Sequence, residues 1–246
     1  MDTSPDPRGA MTPPEPAPEP PGRPVHNLHP DDALPDQVAA SRRAADAARR
    51  VVAGLAATTV DAPTLHEVAA ALDGLAERLA PHQPASRYAA TGGLHGGVVA
   101  DAHVWESHPY IGPSHPLAPP LRIERHGDRA VGRVTFGHVY EGPPGAVHGG
   151  MVAAMFDLVL GAATSIAEKP CLTGTLTVRY RKATPLYREI RYEAWIERVE
   201  ERKVLVAASS TCGGELVADA EGVFVRVDTR RFDPPPPPAS SPSPDA

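Results

Sequence analysis

The amino-acid sequence predicts an α+β domain in which an antiparallel sheet wraps around one long central helix, with a helical hairpin before it and disordered Pro-rich ends. Three observations carry that reading. One segment, Met151 to Ala167, is apolar on nearly every side and long enough for a buried helix. Two period-2 segments precede it and four follow it, each with one polar face, as in an antiparallel sheet covered on one side. The prolines are unevenly placed: of 30 in 246 residues, eleven fall in residues 1–35 and seven in residues 234–246. Ends rich in Pro, Ser, Ala and acidic residues bury too little apolar surface to offset chain entropy, so disorder is expected over 1–35 and 230–246. The remainder suffices for one domain with an appendage.

The elements follow in order. After Pro35 the chain turns Ala- and Arg-rich, and Gln37 to Ala57 reads as a helix with Val38, Ala45, Ala48, Val52 and Leu55 as its apolar stripe. In the next helix, Thr64 and Glu67 form a capping box. Leu65, Val68, Leu72, Leu75 and Leu79 then recur at heptad spacing until Pro81 and Pro84 end the pattern. The pair, residues 36–82, is expected to form a hairpin that packs on itself, on a second copy or on the main domain. Five positive and six negative side chains between Asp36 and Ala80 leave it near neutral, without the phosphate-neutralising surface of a DNA-reading helix-turn-helix. Residues 83–115 read as an irregular, proline-interrupted linker.

The main domain is expected over 116–229. Leu121–Arg125 and Val131–Phe136 read as strands joined by the turn His126-Gly127-Asp128. A Gly/Pro stretch, Gly137 to Gly150, leads into the apolar helix. Leu172–Arg181, Glu189–Glu197, Lys203–Ser210 and Leu216–Val227 read as four further strands, which gives one helix among antiparallel strands.

The start of the apolar helix carries the chemistry. A membrane span needs about 20 apolar residues; the opening His148-Gly149-Gly150 and the internal Asp157 point instead to a helix buried in protein. Asp157 is the only acid between Gly142 and Ala167. A buried carboxylate is costly unless paired or hydrogen-bonded, so a structural role and a chemical role both stand for it. The two glycines favour chemistry. A helix start presents unsatisfied N–H groups and partial positive charge, and glycine lets a ligand approach them closely. N–H donors with a carboxylate suit acyl transfer: the donors stabilise an oxyanion, and the carboxylate attacks or activates water. Pro143 and Pro144 stiffen the loop that delivers these donors.

The run Tyr140-Glu141-Gly142-Pro143-Pro144-Gly145-Ala146-Val147-His148-Gly149-Gly150, with Asp157 nine positions after His148, resembles the hotdog-fold acyl-CoA thioesterases, and is most similar to their PaaI-like and THEM-like branch. The likeness spans roughly Pro116 to Val227 and includes Thr173–Leu186, which reads like the family's third strand and its exit. The resemblance implies a sheet around a central helix, a homodimer or tetramer with joined sheets, and active sites between subunits. It implies that the Gly149 N–H polarises a thioester carbonyl, that His148 and Gly150 shape the loop, and that Asp157 of the opposite subunit is general base or nucleophile. Thr173, sixteen residues after Asp157, matches the hydroxyl position that helps hold the attacking water. Some members carry a polar amide six residues before the His-Gly-Gly histidine. Here that position is Gly142, a departure that leaves the second carbonyl contact to His148.

Arg179, Arg181 and Lys182 cluster at the end of the post-helix strand. They read as an ordinary solvated strand face or, through the resemblance, as contacts to coenzyme A phosphates. Strand alternation puts Arg179 and Arg181 on one face and Lys182 on the other. Leu94-His95-Gly96-Gly97 repeats the His-Gly-Gly string without a buried helix behind it and reads as a loop coincidence. His95, His103, His108, His115 and His126 lack metal-ligand spacing, and Cys171 reads as a packed thiol. Neither a metal nor a cofactor is expected. A net charge of −6 argues against nucleic acid as a partner. Two cysteines and an N-terminus without a signal-peptide core point to the cytoplasm. A non-catalytic acyl-CoA-binding module is the competing reading, against which the pair Asp157 and Thr173 counts. A hydratase of the same fold would place its acid and histidine in another order.

Overall fold

The computed structural model describes residues 22–25, 34–84, 102–165 and 171–227. The string at His95 and most of both Pro-rich ends lie outside the described residues. The helices are α1 (Asp36–Ala56), α2 (Ala62–Leu79), α3 (Ala102–Glu106) and α4 (Gly149–Ser165). The strands are β1 (Arg23–Pro24), β2 (Arg122–His126), β3 (Arg129–Thr135), β4 (Cys171–Tyr180), β5 (Glu189–Val199), β6 (Lys203–Cys212) and β7 (Glu215–Arg226). They form one sheet in the order β1-β2-β3-β5-β6-β7-β4, with every neighbouring pair antiparallel. Among the described residues strand β4 therefore ends the sheet, paired with β7 alone.

The sheet curves around α4, the hotdog arrangement. Val152, Met155, Phe156, Val159 and Leu160 of α4 are fully buried against Val134, Ile190, Tyr192, Val204, Val206 and Phe224. Each such side chain contributes about 1.5–3 kcal/mol when removed from water, so this layer dominates the stability of the fold. The flank of α4 carrying Ala153, Ala154, Asp157, Leu158 and Gly161 is only half-buried, so the helix is not enclosed on every side within one chain. No described helix is long and apolar enough to cross a membrane.

Three expectations change. First, within the segment expected to be disordered, Arg23 and Pro24 pair with Arg125 and Glu124. Two residues at an exposed edge suffice for that, and a proline is tolerated there.

Second, the segment 83–115 is not all loose linker. Val104, Glu106 and Ile111 are buried, and Glu106 is only 2 % exposed. Its carboxylate receives both Nε (3.0 Å) and Nη2 (2.6 Å) of Arg42, a bidentate pair that fixes α1 to the main body. Arg49 adds bonds to the carbonyls of Pro113 (2.6 Å) and His115 (2.9 Å), and His138 Nε2 meets the Ala53 carbonyl at 2.9 Å. The prolines of this segment set tight turns that fit under α1.

Third, α2 is capped by Asp61, whose carboxylate accepts the Thr64 N–H at 3.1 Å. The helix therefore starts before Thr64, with Pro63 in its first turn, where its fixed φ suits helix entry. No residue of α2 is buried, and Leu75 and Leu79 of its apolar seam are exposed.

Candidate active site

The loop before α4 is held by its own backbone. Glu141 bridges Val147, Ala146 bridges Pro185, and the Val147 N–H donates to the Thr184 carbonyl at 2.8 Å. Within it the Ala146 N–H closes a turn on the Pro143 carbonyl at 2.9 Å, and the Gly145 N–H donates to the Glu141 carboxylate at 2.6 Å. Gly145 sits at φ +75°, which glycine adopts freely. A Cβ on Gly142 would lie 2.8 Å from His148 Cα. Position 142 is thus closed to a side chain by backbone packing.

His148 organises the helix start. Its N–H donates to the Tyr140 carbonyl (2.8 Å), and its carbonyl accepts from Met151 (2.9 Å) and Val152 (3.3 Å). Its Nδ1 accepts the Gly150 N–H at 3.0 Å, which fixes the proton of the neutral ring on Nε2 and leaves that edge as a donor. The Gly150 N–H is therefore occupied. The Gly149 N–H meets no acceptor among the described residues. It lies at the positive end of α4, where an incoming oxyanion finds a ready donor.

Asp157 sits two turns further along, half-buried, and Thr173 Oγ1 donates to its Oδ1 at 2.7 Å. The two residues are brought together by an irregularity in β4. Thr173 pairs with Phe224 and Thr175 with Val223, so Gly174 is an extra residue between them. Strict alternation would put Thr173 on the outer face with Arg179. The bulge turns it onto the inner face instead, in line with Leu176, Val178 and Tyr180, which pair with Gly222, Ala220 and Ala218. A Cβ at Gly174 would meet Val225 Cγ2 at 3.0 Å, so the bulge has little room for another residue.

Asp157 and the Gly149 N–H do not meet within one chain. They are eight residues apart on one helix, about 12 Å at the helical rise, whereas reacting groups must approach within about 3–3.5 Å. One copy thus presents two candidate half-sites, an N–H donor at one end of α4 and a Thr-supported carboxylate in its middle.

Tyr180 belongs to the first half-site, and its type and spacing had placed it only in the inner row of β4. Its hydroxyl donates to the Gly149 carbonyl at 2.9 Å, and a Cβ at Gly149 would touch its ring at 3.5 Å. The basic residues at and just beyond the end of β4 behave differently. Arg179 pairs with Asp219 (3.2 Å) and Glu221 (2.7 Å), Arg181 with Asp219 (2.5 Å), and Lys182 with Glu215. These bonds, from Glu221 first and then Asp219, raise the Arg179 pKa, and Asp219 raises that of Arg181. Arg181, more than Arg179, holds the Asp219 carboxyl below its usual range, and Lys182 does the same to Glu215. The structure thus separates the three basic residues from the inner-face groups and commits each to a carboxylate of β7. Cys171 is a free thiol whose pKa is pushed up by burial.

Residues 144–218 match the sequence model of the thioesterase superfamily. The chain is similar to a thioesterase superfamily protein of known crystal structure, with 33% identity over 84% of this chain and 97% of that one and a TM-score of 0.66. It is 29% identical over 93 residues to acyl-coenzyme A thioesterase THEM4 of Mus musculus, covering 37% of this chain and 40% of that protein. For THEM4 of Xenopus laevis the identity is 32% over 93 residues, covering 37% and 42%. The chain therefore spans about two-fifths of the length of these curated relatives.

Proposed function

The chain belongs to the thioesterase superfamily, and from that premise we propose that it hydrolyses acyl-CoA thioesters to the free acid and CoA. The observation that carries this reading is the 2.7 Å hydrogen bond from Thr173 to Asp157 on the half-exposed flank of α4. A hydroxyl held against a carboxylate at an accessible surface suits orienting and deprotonating water, a use that a purely binding module lacks.

In the proposed reaction two copies join at the open edge of β4 and the exposed flank of α4, as a homodimer or a tetramer. The free Gly149 N–H of one copy receives the thioester oxygen, with His148 Nε2 as the second donor and Gly150 holding the His148 ring. Asp157 of the other copy acts as general base or nucleophile, and Thr173 steadies it. On the general-base route the water proton passes to Asp157 and the new C–O bond forms. The oxyanion then collapses with cleavage of C–S, and the CoA thiolate takes up the proton. Two copies are needed because the donor and the carboxylate of one copy are too far apart.

The test is CoA release from acyl-CoAs of short, long and aromatic acyl groups by wild type and Asp157→Asn. General acid–base groups contribute about 10²–10⁴-fold, so the variant should lose that much with its circular dichroism unchanged. Full activity in Asp157→Asn would remove the assignment.

A further inference from the structure

A cavity of about 1050 Å³ lies between α1, the turns at 109–121 and the 3-10 turn His138–Tyr140. Its wall includes Val52 and Ala53 of α1, Ile111 and Leu117 of the turns, and Tyr140 and Met151. Met151 is in the first turn of α4, and Tyr140 holds His148 through its carbonyl, so the cavity adjoins the Gly149 donor. We propose that this cavity receives the aliphatic acyl chain of the thioester, with α1 as the wall that sets how long a chain fits. This rests on the thioesterase reading above.

Four observations support the assignment. Most of the wall is apolar or aromatic, which suits a hydrocarbon tail, while Asp46, His115, Arg122 and Glu124 also line it. The arginines of α1 that reach the cavity are already engaged, Arg42 by Glu106 and Arg49 by Asp46 and the Pro113 and His115 carbonyls. These two arginines therefore do not call for an anionic acyl group. The volume lies just above the usual range of small-molecule sites, about 300–1,000 Å³, far more than an acetyl group fills. Finally, α1 is anchored at Arg42, Arg49 and Ala53, so its wall is fixed rather than loosely laid on. Each further methylene buried in such a site adds favourable burial, which favours longer chains until the wall is reached.

The full chain is assayed with saturated acyl-CoAs from two to eighteen carbons, as wild type, Ala53→Trp, Leu117→Trp and Leu55→Trp. Ala53→Trp fills the cavity from α1 and Leu117→Trp fills it from the exposed turn, so the second still reports if the first fails to fold. Leu55, exposed and outside the cavity wall, is the control. The ratio of long-chain to short-chain kcat/KM should fall at least tenfold in the two filled variants and stay at the wild-type value in Leu55→Trp. An unchanged ratio with active enzyme would overturn the acyl site and leave the thioesterase reading standing. If wild type hydrolyses no thioester, that reading fails, and calorimetry with a non-hydrolysable sixteen-carbon acyl-CoA thioether decides the cavity alone. Binding to wild type that is lost in the filled variants keeps it as an acyl site; no binding removes it.

Discussion

The two faces of β4 carry different kinds of polar residue, and their neighbours give them opposite fates. On the inner face Thr173 and Tyr180 each bond to α4, the first to the Asp157 carboxylate and the second to the Gly149 carbonyl. On the outer face Arg179 and Arg181 bond to Asp219 and Glu221 of the adjacent strand. By residue type alone the arginines look more functional, since guanidinium groups recognise phosphate. In the structure each charge is met by a carboxylate across the strand pair, the ordinary way a two-stranded face satisfies itself. The inner-face groups are instead aimed at a helix whose flank is half open. Which surface a side chain faces decides what it meets, and one extra residue, Gly174, sets that surface for Thr173.

The sharpest way to break the comparison is to separate the two half-sites. Gly149→Pro deletes the free N–H while keeping a residue that the first position of a helix tolerates. Asp157→Asn deletes the carboxylate. Each variant alone should lose about 10²–10³-fold or more, the range for an oxyanion donor or a general base. Mixed after subunit exchange, they should recover activity, because a heterodimer has one intact pair of half-sites. Random exchange makes half the dimers mixed, so recovery should approach about a quarter of wild type. Titrating one variant against the other while following CoA release measures this. No recovery despite exchange shown by mass spectrometry would place donor and carboxylate of an active site in one chain.

The next effect is set by the bulge. Thr173→Val loses only the hydroxyl and with it the bond to Asp157. A hydrogen bond to a charged group contributes about 1.5–3 kcal/mol, so kcat/KM should fall about 10–100-fold. Deleting Gly174 removes the extra residue and leaves Thr173 beside Thr175, still opposite Phe224 on the inner face, so this variant should keep most of its activity. If the deletion costs as much as Thr173→Val, the register argument fails and the hydroxyl argument survives.

Much of this was legible in the sequence because it depends on pattern. The alternating strands, the all-apolar helix and the pairing of Asp157 with Thr173 sixteen residues later follow from periodicity and from the family resemblance. The inward turn of Thr173 did not, because a bulge is a single residue out of register and alternation alone puts Thr173 beside Arg179. Nor did the docking of α1, which depends on Arg42 finding Glu106 sixty-four positions away across a proline-rich stretch that reads as linker. The distance between Gly149 and Asp157 was in the sequence from the start, as eight residues on a helix, but it acquires meaning only once both are known to lie on α4.

A smaller effect belongs to Tyr180. Its hydroxyl braces the carbonyl of the residue that supplies the free N–H, so it is a positioning residue. Tyr180→Phe should lower kcat a few-fold, about what the net worth of one neutral hydrogen bond allows, and leave KM nearly unchanged. The same variant should restore nothing when mixed with Asp157→Asn beyond what wild type restores, since it removes no donor.

The outer face should respond least, and in a different variable. Arg181→Ala should change KM for acyl-CoA by less than about twofold, because an exposed, carboxylate-paired arginine contributes little. Its signature is in stability against pH. The Asp219 carboxyl is held below its usual range, first by the Arg181 hydrogen bond and then by Arg179. A depressed carboxyl stabilises the fold above its unfolded value, about 3.9, and that contribution is lost as pH falls through the folded value. Asp219→Asn should therefore lower Tm by about 1–2 °C at pH 6–8, and the gap should narrow as pH falls below about 4. Melting curves of both proteins from pH 3 to 8 measure it. A gap as wide at pH 3 as at pH 7 would mean that Asp219 supports β7 through its shape. A gap that closes while acyl-CoA hydrolysis at neutral pH is unmoved would separate the two faces of β4 by experiment, the outer holding the sheet and the inner serving the reaction.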